Sequence, residues 1–414
     1  MKQVILIPLA SKLHGPQYYN NILKSVENLF INAGIKVLNV IDSEDSITDD
    51  VINIVKDSIP ILLFLTGGTS RLARELIIRS GVRRVLALAH GHHNSLSSAI
   101  SVRSRLEFEG LSIRIYTCDE INSPKCKDVV NKVIKLGKAV SSLLNLNIGL
   151  ISFSVDDEEI KRFEEVLESK VSIIPYTELE NMLANVTDDE VLKSMELLSS
   201  KIDLQGVNQG KLTEALKIYV ALKKLINSRG YDAIAIDCFP YLIKYKITPC
   251  IAVALLNSEG IVTVCEGDLR ALMLMQISKA LVGSPGWISN PSLINGSKLV
   301  LTHCTVAPNL ILHGKVLSHF ESGYPYAISG VLPKGTYTLI SVDKEFSTIA
   351  ALKAELVESG LMSEHMCRTQ VTLNADVDLS EFPNIALANH HVLIRGDIVK
   401  DVMELSYIPV SYTH

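Results

Sequence analysis

Cys265, Glu266, Gly267 and Asp268 close the apolar run IVTV and stand directly before the helical pattern LRALMLMQISKALVG. Two carboxylates two residues apart at a strand end share a face, and a helix that follows favours their ionised forms. Such a pair can ligate a hard cation or move protons as general acid and base. The same spacing suits structural duty, with Asp268 as a helix cap and Glu266 as a solvated loop charge. Asp237 ends a second apolar run, AIAID, before Cys238, Phe239 and Pro240 break the strand. A carboxylate at the carboxyl tip of a buried strand lies where α/β folds place ligands, though a loop-capping Asp fits equally. His303 sits in LTHCTVAPN, as a hydrogen-bonded core residue or a site imidazole. HFESG brings His319 and Glu321, two apart and on one strand face. ANHHVLIRGD brings His390 and His391, and strand alternation sends one toward a site and the other away. AHGHHNSL sets His90, His92 and His93 between a strand and a helix that Asn94 or Ser95 caps. Exposed amides there can meet an anion or a sugar.

Other chemistries fail on spacing. TGGTSR is not the GxxxxGK[ST] of a phosphate loop, no GxGxxG follows the first strand, and no GxSxG elbow is present. Cys238, Cys250, Cys265 and Cys304 lack the paired spacing of structural zinc sites. Among 414 residues, 40 Lys and Arg face 45 Asp and Glu, a formal net charge of −5 without a basic run. No nucleic-acid partner is expected. Apolar runs such as IPILLFL and CIAVALL are strand-sized, far short of the roughly 20 residues that span a bilayer, so no membrane partner is expected. Seven cysteines without a CxxC pair read as a reduced, cytoplasmic chain. MKQVILIPLASKLHG reads as a first core strand rather than a leader.

The elements that must position these residues follow from periodicity. Strands QVILIPLA, IKVLNVID, PILLFLTGG, RRVLALAH and SIRIYTC alternate with helices, three of them closed by Gly34, Gly81 and Gly110. That predicts a doubly wound domain over residues 1–145. A second cycle over 146–290 opens with LNIGLISFSV and VSIIPYT, then carries YDAIAIDCF, PCIAVALLNSEG and IVTVCEGD as buried strands. After Pro285 come short strands and turns, including SKLVLTHCTV, YAISGVLPKG, TYTLISV, CRTQVTLN and NHHVLIRGD, with IVKDVMELSYI as a closing helix. They predict a third, β-rich domain over 291–414. The expected fold class is α/β, two doubly wound parallel-sheet domains followed by a β-rich C-terminal domain.

Taken together and in order, Asp237–Cys238–Phe239–Pro240, PCIAVALLNSEGIVTVCEGD, THCTVAPN, HFESG, CRTQ and ANHHVLIRGD resemble the L-fucose isomerase family. The chain resembles a short, archaeal branch of the fucose/arabinose isomerase-like group. The resemblance covers roughly residues 205–405 by motif, and the N-terminal domain by architecture and NSLSSAI. It implies an aldose–ketose isomerase for an open-chain pentose or (deoxy)hexose, working through a cis-enediolate. It also implies a divalent metal, usually manganese, held by two carboxylates and a histidine. Asp268 and His390 match two ligand positions. The other carboxylate is expected near the Cys–aromatic–Pro segment, where this chain has Tyr241, so Asp237 or Glu266 takes its place. Glu266, Asp268 and Asp237 are then the proton-transfer candidates. His303, His319, Glu321, Arg368 and His92 are candidates for binding the sugar. The family resemblance further implies a homotrimer or homohexamer, a neighbour's N-terminal domain covering the metal. A sugar-binding or regulatory protein that keeps the fold without catalysis is the alternative. Ligands sharing one metal would put an Asp268 oxygen and a His390 nitrogen about 3–4 Å apart.

Overall fold

A computed structural model describes residues 2–153, 156–199 and 201–406. The chain divides into two compact units, Met1–Leu144 with Glu404 onward, and Asn145–Met403.

In the first unit, strands β1 (Gln3–Leu9), β2 (Lys36–Val37), β3 (Ser58–Phe64), β4 (Arg84–His90) and β5 (Ser112–Cys118) form a parallel sheet of order β2-β1-β3-β4-β5. Helices α1 (Pro16–Asn32), α2 (Asp49–Lys56), α3 (Ser70–Ser80), α4 (Ser95–Phe108) and α5 (Pro124–Leu143) connect them. Every residue of β3 and β4 is buried, which is why SIPILLF and RVLALAH read as continuous apolar runs rather than alternating ones. Thr48 caps α2 through Val51 N–H, and Gly81 closes α3 at φ +67°. Cys118 and Cys126 are joined by a disulfide, a departure from the reduced chain expected. One ends β5 and the other lies in the first turn of α5, so the intervening loop brings them together without a CxxC spacing.

The second unit contains a parallel sheet of order β10-β9-β6-β7, from β6 (Asn147–Ile151), β7 (Lys170–Ile174), β9 (Ala233–Ile236) and β10 (Val262–Val264). Between its strands run α6 (Asp157–Leu167), α7 (Tyr176–Ala184), α8 (Asp188–Ser199), the short β8 (Ile202–Asp203), α9 (Gln209–Arg229), α10 (Cys238–Tyr245) and α11 (Cys250–Ser258). The run PCIAVALLNSEG, expected as a strand, is therefore helical. A short apolar run buried on all sides has no periodicity to tell strand from helix, and Ala and Leu favour the helix. Buried Asn257 fixes that helix to β10, donating to Thr263 O at 2.6 Å and accepting from Thr263 N–H at 3.0 Å.

Helix α12 (Leu269–Val282) then leads into a closed barrel of order β11-β12-β17-β16-β15-β18. Its strands are β11 (Trp287–Asn295), β12 (Lys298–His303), β15 (Gly335–Val342), β16 (Ile349–Ser359), β17 (Thr369–Ala375) and β18 (His391–Arg395). Strands β13 (His313–Leu317) and β14 (Ala327–Val331) pair with β8 in a small side sheet. The expected α/β class with a β-rich C-terminal part is thus observed. Ile234 and Ile236 of the sheet and Trp287, Leu301, Leu339, Val371 and Leu393 of the barrel share one continuous core. A short helix, α13 (Phe382–Ile385), precedes β18, and α14 (Val399–Ser406) closes the described chain. Its Glu404 is gripped within the first unit by Lys132 Nζ at 2.8 Å, Arg114 Nε at 3.0 Å and Tyr116 OH at 2.7 Å. Among the described residues, no helix is long and apolar enough to cross a membrane.

Candidate metal centre

The CEGD turn leaves the carboxyl end of β10. Glu266 and Gly267 both adopt the left-handed conformation, at φ +58° and +65°, and Gly267 N–H donates to Ile236 O at 3.1 Å. Two such residues in succession reverse the chain tightly, and glycine relieves the cost of one of them. Asp268 then begins α12 as its cap, Oδ1 accepting from Ala271 N–H at 2.8 Å. Its other oxygen accepts from His390 Nδ1–H at 2.7 Å. One oxygen of Asp268 thus caps the helix and the other faces His390.

His390 precedes β18, and His303 ends β12 on a neighbouring part of the barrel. His391 faces the other way, its Nδ1–H donating to Asn389 O at 3.1 Å and its ring lying against Phe382. His390 Nε2 lies 3.5 Å and His303 Nε2 3.9 Å from Glu266 Oε1. One ligand atom from each of Glu266, His303 and His390 lies within 4.8 Å of the others. The two imidazoles are 1–2% exposed and Glu266 is 30% exposed, so the cluster opens on the carboxylate side. Among the described residues, both ring nitrogens of His303 and Nε2 of His390 are buried without a hydrogen-bond partner. Burying the two His303 nitrogens with nothing to bind costs free energy that a cation would recover. Two imidazoles and a carboxylate form a mixed set suited to a first-row divalent metal rather than to calcium.

The electrostatics fit the same purpose. Burial pushes His303 down to about 3, with the charge of His390 adding to it, so the His303 ring is neutral near pH 7. Burial alone would also lower His390, but Asp268 and then Glu266 outweigh it and raise it to about 9. For Glu266, burial acts upward and is outweighed by His390 and His303, leaving the carboxyl below its usual range. Asp268 is lowered in the same way, burial being overcome by His390, the Ala271 amide and Arg270.

The remaining candidates have separate places. Asp237 precedes α10, and its Oδ2 accepts from Ser152 Oγ–H at 3.1 Å. It lies beside the CEGD turn, for a methyl added to Gly267 would stand 3.6 Å from its Cβ. Burial raises the Asp237 carboxyl, the Ser152 bond opposes this, and the charge of Glu266 adds to the rise. Tyr241 is buried in α10 between Tyr176 and Tyr245, so that segment sends an aromatic ring into the core. His319 Nε2 lies 3.1 Å from Cys304 Sγ. Arg368 Nε–H donates to Ser318 O at 2.8 Å, and its guanidinium lies over the Phe320 ring. Glu321 is exposed, and slight burial with the charge of Glu266 raises its carboxyl. His92 is exposed in the first unit, its amide donating to Nδ1 of buried His90 at 3.3 Å. Asn94 makes no side-chain cap to α4, whereas Ser95 Oγ accepts from His90 N–H.

The cluster thus includes His303, assigned from sequence to sugar binding, and sets Asp268 behind His390. The sequence signals for His303 are its place at the end of an apolar run and the THCTVAPN motif, and neither sets it apart as a ligand. Which strand ends converge is decided by barrel closure.

Residues 154–284 match the family model for the L-arabinose isomerase central domain, a span that contains Asp237, Glu266 and Asp268. The sulfoquinovose isomerase of Clostridium sp. (strain MSTE9) is 22% identical over 230 residues, 52% of this chain and 50% of that protein. The sulfoquinovose isomerases of Priestia aryabhattai and Priestia megaterium (strain ATCC 12872 / QMB1551) are each 22% identical over 295 residues, 66% of this chain and 65% of theirs. The chain therefore spans from half to just under two thirds of the length of these curated relatives. With the parallel sheets and the barrel, these matches support a place for the chain in the arabinose/fucose isomerase-like group.

Proposed function

We propose that the chain is a metal-dependent aldose–ketose isomerase acting on an open-chain pentose or (deoxy)hexose. The convergence of Glu266, His303 and His390, with buried ring nitrogens otherwise unpartnered, carries this reading. The sugar isomerases among its relatives support the reaction class. Order and spacing of CEGD, THC, HFESG and NHH favour the fucose isomerase-like branch.

The reaction moves a proton between C1 and C2 while charge develops on the neighbouring oxygens. A divalent cation of the manganese type, when bound, supplies Lewis-acid stabilisation of that charge. Asp268 accepts a hydrogen bond from His390 Nδ1–H and so leaves Nε2, once it has lost its proton, as the nitrogen that faces the cluster. His303 is kept neutral by burial and is ready to ligate without first losing a proton. Asp237 is the proton carrier, since its raised carboxyl accepts and returns a proton more readily than an ordinary aspartate. Ser152 Oγ orients it. His319, Glu321 and Arg368 orient the sugar hydroxyls. In this reading the protein is a cytoplasmic homotrimer or homohexamer, with His92 of a neighbouring subunit contributing to the sugar site.

One observation favours the alternative, a sugar-binding protein without catalysis. Asp237 stands outside the three-residue cluster, and Tyr241 supplies no acid. Manganese titration combined with ketose formation from a panel of pentoses, hexoses and deoxyhexoses separates the two. Turnover that depends on manganese and is lost in Glu266→Gln supports the isomerase. Sugar binding without turnover at saturating manganese supports the binding protein.

A further inference from the structure

Five cysteines are free, all in the second unit: Cys238, Cys250, Cys265 and Cys304 are buried and Cys367 is half-buried. Two of them face each other. Cys304 follows β12 directly after His303, and Cys367 leads into β17, whose Thr369 pairs with His303. Their sulfurs are 4.0 Å apart, about 2 Å longer than a disulfide bond. Buried Gln370 holds the Cys367 loop in place. Its Nε2 donates to Cys367 O at 2.9 Å and to Ser363 O at 2.6 Å, and its Oε1 accepts from the Met362 amide at 2.8 Å.

A directed chain of polar groups ends on this pair. Ser322 N–H donates to His319 Nδ1 at 3.3 Å, which makes Nδ1 an acceptor. The neutral ring therefore carries its proton on Nε2, 3.1 Å from Cys304 Sγ. With that N–H donated to its sulfur, Cys304 can donate its own S–H to Cys367. The chain ends on Cys367, the less buried residue of the two, and donation to its sulfur lends it thiolate character. Cys250 lies in the same apolar cluster as Cys304 and Cys367 but is itself buried.

We propose that Cys304 and Cys367 form an oxidation site, a thiol pair that hydrogen peroxide converts to a disulfide. The Cys367 thiolate attacks one peroxide oxygen, the O–O bond breaks, and the departing hydroxide takes a proton to leave as water. Cys367 is then a sulfenic acid. The Cys304 sulfur displaces its hydroxyl, the S–O bond breaks as the S–S bond forms, and the Cys304 proton leaves with the hydroxyl as a second water. The two thiols have lost two electrons and the peroxide has gained them. Closure moves Cys304 toward Cys367 and away from His319, shifting the strand end that carries His303. The oxidised protein is expected to bind manganese several-fold more weakly.

The test treats the full chain with equimolar hydrogen peroxide, then counts thiols after denaturation and maps peptides by mass spectrometry. The expected result is a fall from five free thiols to three, a peptide linking Cys304 to Cys367, and full recovery with dithiothreitol. In Cys304→Ala the reaction should stop at a Cys367 sulfenic acid that dimedone traps. Retention of all five thiols, a link through another cysteine, or irreversible oxidation of Cys367 alone in the unmodified sequence would overturn the proposal. Should Cys304→Ala fail to fold, the peptide map of the unmodified sequence still decides. The readout is covalent and stands apart from turnover, so it can succeed or fail whatever becomes of the isomerase reading.

Discussion

Asp268 and His390 are 122 residues apart in sequence and meet at 2.7 Å through Oδ2 and Nδ1. The contact joins the start of α12 to the entry of β18, and so ties the parallel sheet to the barrel beside the Glu266, His303 and His390 cluster. It also decides which nitrogen of His390 is available, since the one facing Asp268 is already used.

Asp268→Asn should therefore weaken manganese binding by about 10–100-fold, the usual effect of removing a carboxylate behind a ligating histidine. The helix cap survives in Asn, but the carboxylate that holds His390 protonated is lost, so the metal-free variant should also be less stable near pH 7. Asp268→Ala should lose the cap as well, at a further cost of about 0.5–2 kcal/mol. Calorimetric titration and thermal unfolding of the two variants separate the effects.

The histidine pair predicts opposite pH limbs for the metal-free protein. The folded pKa of His390 is raised to about 9, so its stabilisation is complete below its unfolded value near 6.5 and is lost as pH rises through 9. His303 is depressed to about 3, so the unfolded chain binds the extra proton and stability falls as pH drops below about 6.5. Unfolding measured from pH 5 to 10 should show both limbs. His390→Gln should abolish the alkaline limb; its persistence would refute the assignment.

Metal uptake follows from the same charge. His390 Nε2 must release a proton before it can ligate, so apparent manganese affinity should rise about tenfold per pH unit from 6 to 8. Titration in two buffers of different ionisation enthalpy would show about one proton released near pH 7. Affinity that does not change with pH would mean that His390 is not a ligand.

Much of this was legible in the sequence. Buried runs such as SIPILLF and RVLALAH announced parallel strands because a sheet covered on both faces leaves no polar alternation. The shift to short strands and turns after Pro285 announced the barrel. CIAVALL could not be read correctly, because burial on every side erases the periodicity that separates a helix from a strand. Asp268 and His390 were visible through the motifs around them, but the role of His303 depends on how β12 and β18 close the barrel. No local pattern encodes that register. The Cys118–Cys126 bond was hidden for a similar reason, since a loop rather than a spacing rule brings its halves together.

Glu404 tests the closing helix independently of the site. Its carboxylate accepts from Lys132, Arg114 and Tyr116. Burial opposes ionisation, yet these three partners hold it down to about 2. Glu404→Gln should destabilise the first unit by about 1.5–3 kcal/mol, the range for hydrogen bonds to charged groups. The loss should shrink as pH falls from about 4 toward 2, where the native carboxyl also becomes neutral. Thermal unfolding at pH 7 and pH 3 would show it.

The most direct test is a crystal grown with manganese and measured by anomalous scattering at the manganese edge. A single peak should lie about 2.0–2.3 Å from a Glu266 carboxylate oxygen, His303 Nε2 and His390 Nε2, with Asp268 still bonded to His390 Nδ1. A peak ligated by other residues, or none in a crystal saturated with manganese, would contradict the account.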